Sequence, residues 1–124
     1  MTKSILLAED DRFLRRAAET KLRQSGYDVR VAVDGDEALA LARQQAPDLL
    51  LLDLLMPKRD GLAVLKALKA DAGTRDIPVV IISNSSKDLE MQNASDLGAV
   101  DYWIKSNLSL QELCGRVQRL LGTA

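Results

Sequence analysis

Three acids, a serine and a lysine stand where they could act together. Glu9 and Asp10 follow directly on the short apolar run Ser4–Ala8, and Asp53 ends the run Leu49-Leu50-Leu51-Leu52. Ser83 ends a β-branched run that starts at Ile77, and Lys105 ends another that starts at Val100. Carboxylates brought close repel, so one of them must protonate unless a cation neutralises the group. The donors on offer are hard oxygens, with no histidine and no usable cysteine, which favours Mg2+ or Mn2+ over zinc. A fixed ammonium from Lys105 and a hydroxyl from Ser83 would then suit a doubly charged phosphoryl group held on Asp53. A carboxylate nucleophile that forms an aspartyl phosphate is established chemistry for such a side chain.

For these residues to meet, each must lie at the carboxyl end of a strand in one parallel sheet. The chain carries that pattern. Ser4–Ala8, Asp28–Ala32, Leu49–Asp53, 77–83 and 100–104 read as five strands, and the all-leucine run is apolar on both faces, as a central strand must be. Between them, apolar residues recur at helical spacing: Leu14, Ala17, Ala18 and Leu22 before a stop at Gly26, then an Ala- and Leu-rich helix that Asp34 caps, with Glu37 three residues on, and that ends before Pro47. A loop over 57–61 leads to a third helix carrying Leu62, Val64, Leu65 and Leu68, closed near Gly73. Ser85 or Ser86 is expected to cap a helix over 87–97, with Gly98 behind it. The capping box Ser109-Leu110-Gln111-Glu112 opens the last helix, whose apolar stripe is Leu110, Leu113, Cys114, Val117, Leu120 and Leu121. Strands alternating with helices through short loops predict a parallel sheet covered on both faces, with its functional crevice beyond the strands' carboxyl ends.

Composition narrows the function further. At 124 residues the expectation is one domain, 1–124. Lys plus Arg, at 17, nearly balance Asp plus Glu, at 18, so there is no basic field for nucleic acid or anionic lipid. The absence of histidine excludes His-based acid–base catalysis and a phosphohistidine carrier. The single cysteine, Cys114, reads as a small buried filler, and with no signal-peptide pattern or membrane-length apolar run it points to the cytoplasm. Glu9-Asp10-Asp11 stands where a glycine-rich phosphate or dinucleotide loop would have to be. Asp11 reads as the cap of the first helix, and Arg12, Arg15, Arg16, Lys21 and Arg23 as a solvated face, with kinase docking a secondary reading. Trp103 is expected in the core, with Tyr102 on the opposite face of the strand.

Glu9-Asp10 after the first strand, Leu52-Asp53-Leu54-Leu55-Met56-Pro57 with Gly61 beyond, Ser83, and Tyr102 three residues before Lys105 together resemble the receiver domain of two-component response regulators. The likeness is to the single-domain chemotaxis type and runs over the whole chain. It implies the flavodoxin-like (βα)5 fold, a three-layer sandwich with strand order 2-1-3-4-5. It further implies that Asp53 is the phosphoacceptor, charged by a histidine kinase or phosphotransfer protein. Asp10, Asp53 and the Leu55 backbone carbonyl would ligate Mg2+, with Glu9 acting through water. Lys105 would pair with the phosphoryl oxygens, Ser83 would move to hydrogen-bond them, and Tyr102 would rotate inward. The surface of the fourth helix, fifth strand and fifth helix would then change for a downstream protein partner.

This chain departs from the family pattern at Ser106, where proline usually follows the lysine through a cis bond. A non-proline cis bond costs about 3 kcal/mol, so a trans bond or a rearranged loop is expected. Asn84 replaces a small residue beside the site, and Ser83 keeps the hydroxyl where threonine is commoner. Two rival readings stand beside a signalling receiver. One is a Mg2+-dependent phosphohydrolase, disfavoured because Leu55 occupies the place of its second acid. The other is a degenerate receiver acting as a constitutive interaction module.

Overall fold

The computed structural model describes residues 2–122. Along the chain run β1 (Ser4–Ala8), α1 (Arg12–Gln24), β2 (Asp28–Ala32), α2 (Gly35–Gln44), β3 (Leu49–Asp53), α3 (Gly61–Ala70), β4 (Val79–Ser83), α4 (Asp88–Asp96), β5 (Asp101–Ile104), a 3-10 turn (Lys105–Asn107) and α5 (Leu110–Leu121). The strands form one parallel sheet in the order β2-β1-β3-β4-β5. This is the flavodoxin-like arrangement the sequence reading expects.

Alternation along each strand divides the core in two. Leu6, Ala8, Leu50, Leu52, Val79 and Ile81 face α2, α3 and α4, joined by Ala38, Leu65, Leu68 and Ala94. Ile5, Leu7, Leu49, Leu51, Val80, Ile82 and Trp103 face α1 and α5, joined by Ala18, Leu22, Leu113, Cys114 and Val117. Tyr102 packs against the first group and Trp103 belongs to the second, as adjacent residues of a strand must. Asp53 continues the odd positions of Leu49 and Leu51, and Glu9 those of Ile5 and Leu7, so both acids lean toward the α1–α5 layer.

Helix ends follow the sequence where a side chain can reach the backbone. Asp11 accepts from Phe13 N–H at 2.9 Å and Leu14 N–H at 3.2 Å, and Asp34 accepts from Glu37 N–H at 2.8 Å. Ser109 and Glu112 form the reciprocal capping box of α5.

Elsewhere the bounds shift. β4 begins at Val79, two residues later than expected, because Ile77 N–H turns back to the Thr74 carbonyl and Pro78 has no N–H to give the ladder. β5 begins at Asp101 rather than Val100. α3 stops at Ala70 with Asp71 as its C-cap, short of Gly73, and the Thr74 hydroxyl donates to the Leu68 carbonyl at 2.7 Å. α4 is capped by neither Ser85 nor Ser86. It runs from Asp88 behind Lys87, with no side-chain cap, because the Ser85 hydroxyl is already engaged in the preceding turn, accepting from Lys87 N–H at 3.3 Å. α4 buries only Ala94, and Leu89 on it is 71% exposed.

No peptide among the described residues is cis, so Lys105–Ser106 is trans and the chain leaves β5 through the 3-10 turn. No helix among the described residues is long and apolar enough to cross a membrane.

Candidate functional site

The strand ends meet as expected at the carboxyl edge of the sheet. Glu9, Asp10, Asp11, Asp53, Leu55, Ser83, Asn84, Ser85 and Lys105 line one open crevice of about 350 Å³. One carboxylate oxygen each from Glu9, Asp10 and Asp53 lie within 4.8 Å of one another. Glu9 and Asp53 are buried, while Asp10 stands exposed at the mouth. Lys105 Nζ lies 2.5 Å from Glu9 Oε1 and 3.1 Å from Asp53 Oδ2, tying β5 to both β1 and β3.

The ammonium does not balance the acids. Burial, together with the hydrogen bond and charge of neighbouring Glu9, pushes Asp53 up to about 8, against the smaller downward pull of Lys105. Burial by itself would lower the Lys105 pKa, but Glu9 and Asp53 outweigh it and hold the ammonium above its ordinary value. Glu9 Oε1 is fully buried and, although the ammonium is close, lies off the line of any hydrogen bond. Three acids converging on one ammonium leave negative charge uncompensated, and a cluster of hard oxygen donors in that condition fits a divalent cation.

The β3–α3 loop is folded tightly against this site. Leu55 N–H donates to Asp53 Oδ1 at 3.3 Å, and Gly61 N–H donates to the Leu54 carbonyl at 2.8 Å. On the far side, Gly35 N–H donates to the Pro57 carbonyl at 3.3 Å, and Lys58, at a φ of 67°, pairs with Asp34 at 3.5 Å. A side chain at Gly61 would run into the Asp53 carbonyl and place its Cβ 2.9 Å from Leu54 Cα. Since those atoms are backbone of a central strand, Gly61→Ala is expected to cost about 2 kcal/mol in urea unfolding. An unchanged midpoint would show that α3 can slide away from β3.

On the other flank, the Ser83 hydroxyl accepts from Ser85 N–H at 3.0 Å, which leaves its own proton free for the crevice. Tyr102 does not line the crevice. Its hydroxyl donates to the Ser85 carbonyl at 2.9 Å, joining β5 to the loop that follows Ser83. Asn84 is exposed at the rim.

Three contacts escape sequence reasoning. Arg15, expected on a solvated face, instead donates from Nη1 to the Glu9 carbonyl at 3.0 Å and the Asp10 carbonyl at 3.2 Å. Trp103 gives its indole N–H to Asp101 Oδ2 at 2.8 Å. The Arg116 guanidinium lies over the Trp103 ring at 5.6 Å. The Arg15 and Arg116 contacts depend on how a neighbouring loop or strand docks, and the Trp103–Asp101 bond is a same-face pair two residues apart in β5.

Known proteins resemble this chain in sequence and in fold. Residues 5–118 match the family model of the response regulator receiver domain. The chain is 39% identical over 117 residues to the DNA-binding dual master transcriptional regulator RpaA of Synechocystis, covering 94% of this chain and 48% of that protein. It spans about half the length of the curated relatives it matches. Among solved structures, the phosphorylated cyanobacterial phytochrome response regulator RcpA aligns with a TM-score of 0.90 at 35% identity, covering 100% of this chain and 97% of that one. The Mn2+-bound form of response regulator Rcp1 aligns with a TM-score of 0.88 at 30% identity, covering 98% and 96%. Receiver domains are signalling modules that bind a divalent metal. The chain therefore belongs to the receiver-domain family of two-component response regulators, whose function is phosphorylation-dependent signalling.

Proposed function

We propose that Asp53 is the phosphoacceptor of this receiver and that it takes its phosphoryl group from the phosphohistidine of a histidine kinase or phosphotransfer protein. The observation that carries the reading is the set of Glu9, Asp10 and Asp53 oxygens within 4.8 Å, with Lys105 3.1 Å from Asp53. In the transfer, an Asp53 carboxylate oxygen forms a bond to phosphorus while the bond from phosphorus to the donor's imidazole nitrogen breaks. The electron pair of that bond stays on the nitrogen, and the imidazole leaves neutral because its other ring nitrogen carries a proton. Lys105 neutralises the charge on the phosphoryl oxygens and Ser83 donates its free proton to one of them. Asp10, Asp53 and the Leu55 carbonyl would hold Mg2+, with Mn2+ as an alternative, and Glu9 would act through water. A bound Mg2+ supplies charge neutralisation at the transferred oxygens.

Movement of Ser83 toward the phosphoryl group pulls on the loop that Tyr102 holds through the Ser85 carbonyl. The signal thereby reaches the face formed by α4, β5 and α5, where a downstream protein reads it. The site lacks the second acid of a phosphohydrolase, Leu55 being in its place, so no turnover of phosphate esters is expected. On this reading the receiver spans 1–124, acts in the cytoplasm and has protein partners rather than nucleic acid or membrane.

Intact mass after acetyl phosphate and Mg2+ tests the assignment. One phosphoryl adduct is expected on the wild type and none on Asp53→Asn, whose amide cannot form the acyl phosphate. An adduct on the variant would move the acceptor elsewhere. Steady release of product from small phosphate esters would favour the hydrolase instead.

A further inference from the structure

Arg15 stands on the first turn of α1, half-buried, and its head group is directed at the β1–α1 loop rather than at solvent. Among the described residues it forms no ion pair. Its Nη1 is shared between the carbonyls of Glu9 and Asp10, two consecutive residues whose carboxylates lie in the acidic cluster. From inside the same loop, Glu9 Oε2 accepts from Asp11 N–H at 3.1 Å, and Asp11 caps α1. The loop is thus fixed from behind by a guanidinium and from within by the acid it carries.

We propose that Arg15 is a positioning residue for the cation site. By holding the peptide planes on either side of Asp10, it fixes the direction in which the Glu9 and Asp10 side chains leave the backbone. Both carboxylates are thereby presented toward Asp53 before any cation arrives. The inference rests on the reading of Glu9, Asp10 and Asp53 as the cation-binding acids.

Charge and orientation pull in opposite directions here, which makes the role measurable. A guanidinium beside a dication site is a like charge, so by field alone its removal tightens cation binding. If the hydrogen bonds to the two carbonyls are what matter, its removal loosens binding. Groups that orient metal ligands typically change affinity by tenfold or more.

The experiment is calorimetric titration of the metal-free full chain with Mg2+, on wild type, Arg15→Gln, Arg15→Lys and Asp10→Ala. Arg15→Gln is expected to raise the Mg2+ Kd roughly tenfold. Arg15→Lys keeps the charge but its side chain ends one atom short of the Arg15 Nη1 position, so it is expected to weaken binding as well. The rate of adduct formation from acetyl phosphate should shift to higher half-saturating Mg2+ in both variants while its plateau is kept. A merely structural role would lower the melting temperature without moving that midpoint. An Mg2+ Kd that is unchanged or tighter in Arg15→Gln overturns the proposal, and if that variant does not fold, Arg15→Lys decides by the same criterion. Undiminished binding in Asp10→Ala would instead reject the underlying assignment of the cation-binding acids.

Discussion

Metal-free protein is expected to lose on the order of 2 kcal/mol of stability as the pH rises from about 4 to about 8, and saturating Mg2+ is expected to abolish that slope. Burial and the adjacent Glu9 carboxylate raise the Asp53 pKa from 3.8 to about 8. Between those values the folded chain keeps a proton that the unfolded chain has released. The stabilisation from this proton is complete below the unfolded pKa and is lost as the pH passes through the folded one. Above it, Asp53 ionises in a buried site beside Glu9 with a single ammonium for both. The full shift would correspond to a larger figure, but the crevice is open and Lys105 stays paired, so the smaller value is the better expectation. Urea unfolding followed by Trp103 fluorescence, at pH 5 and pH 8 in EDTA or Mg2+, measures the effect. Asp53→Asn removes the titrating group and should remove the same slope. If the EDTA profiles of wild type and Asp53→Asn run parallel, Asp53 is not the group that senses pH.

Lys105→Ala is expected to separate accepting the phosphoryl group from responding to it. Without its ammonium, Glu9 and Asp53 face each other with no positive side chain between them, and breaking a buried pair of this kind costs about 3 kcal/mol. The loss should be largest near pH 8 without metal, smaller at pH 5 where Asp53 is protonated, and reduced by Mg2+. Because Asp53 and the other two acids remain, acetyl phosphate should still give an adduct. The Trp103 fluorescence change should shrink, since β5 no longer carries a charge that the phosphoryl group can pull on. An adduct with a full-sized fluorescence change would show that the signal leaves through Ser83 alone. No adduct at all would make Lys105 part of the transfer step itself.

The alternation of strands with helices and the strand-end cluster are legible in local pattern, whereas the sheet order comes only from the family resemblance. Apolar runs separated by helical periodicity permit few parallel arrangements, and a polar residue at a run's carboxyl end must come to the sheet's edge. Glu9, Asp53, Ser83 and Lys105 could therefore be placed from their positions alone. Arg15 could not, since its direction depends on how far the β1–α1 loop folds back onto α1. The α4 boundary was missed for a related reason. Ser85 looked like a cap, but the turn after β4 engages its hydroxyl and its carbonyl, and the carbonyl receives Tyr102 from another strand. The trans Lys105–Ser106 bond is foreseeable from the cost of the alternative, whereas the 3-10 turn that follows, closed by Leu108 N–H on the Lys105 carbonyl, has no signal in the sequence.

The unequal anchoring of the helices leaves one compliant element, α4, on a face where α2 and α3 bury four residues each. α1 is seated by Ala18 and Leu22, and α5 by Leu113, Cys114 and Val117. α4 is seated by Ala94 alone and begins without a side-chain cap. A displacement imposed at the crevice divides among its neighbours in inverse proportion to their stiffness, so most of the strain is taken up by α4. That helix should also exchange its amide protons fastest among the five. Direction is thus built into the mechanics: the helix that yields first is the one that borders β5, on the side away from the helix whose arginine steadies the acids.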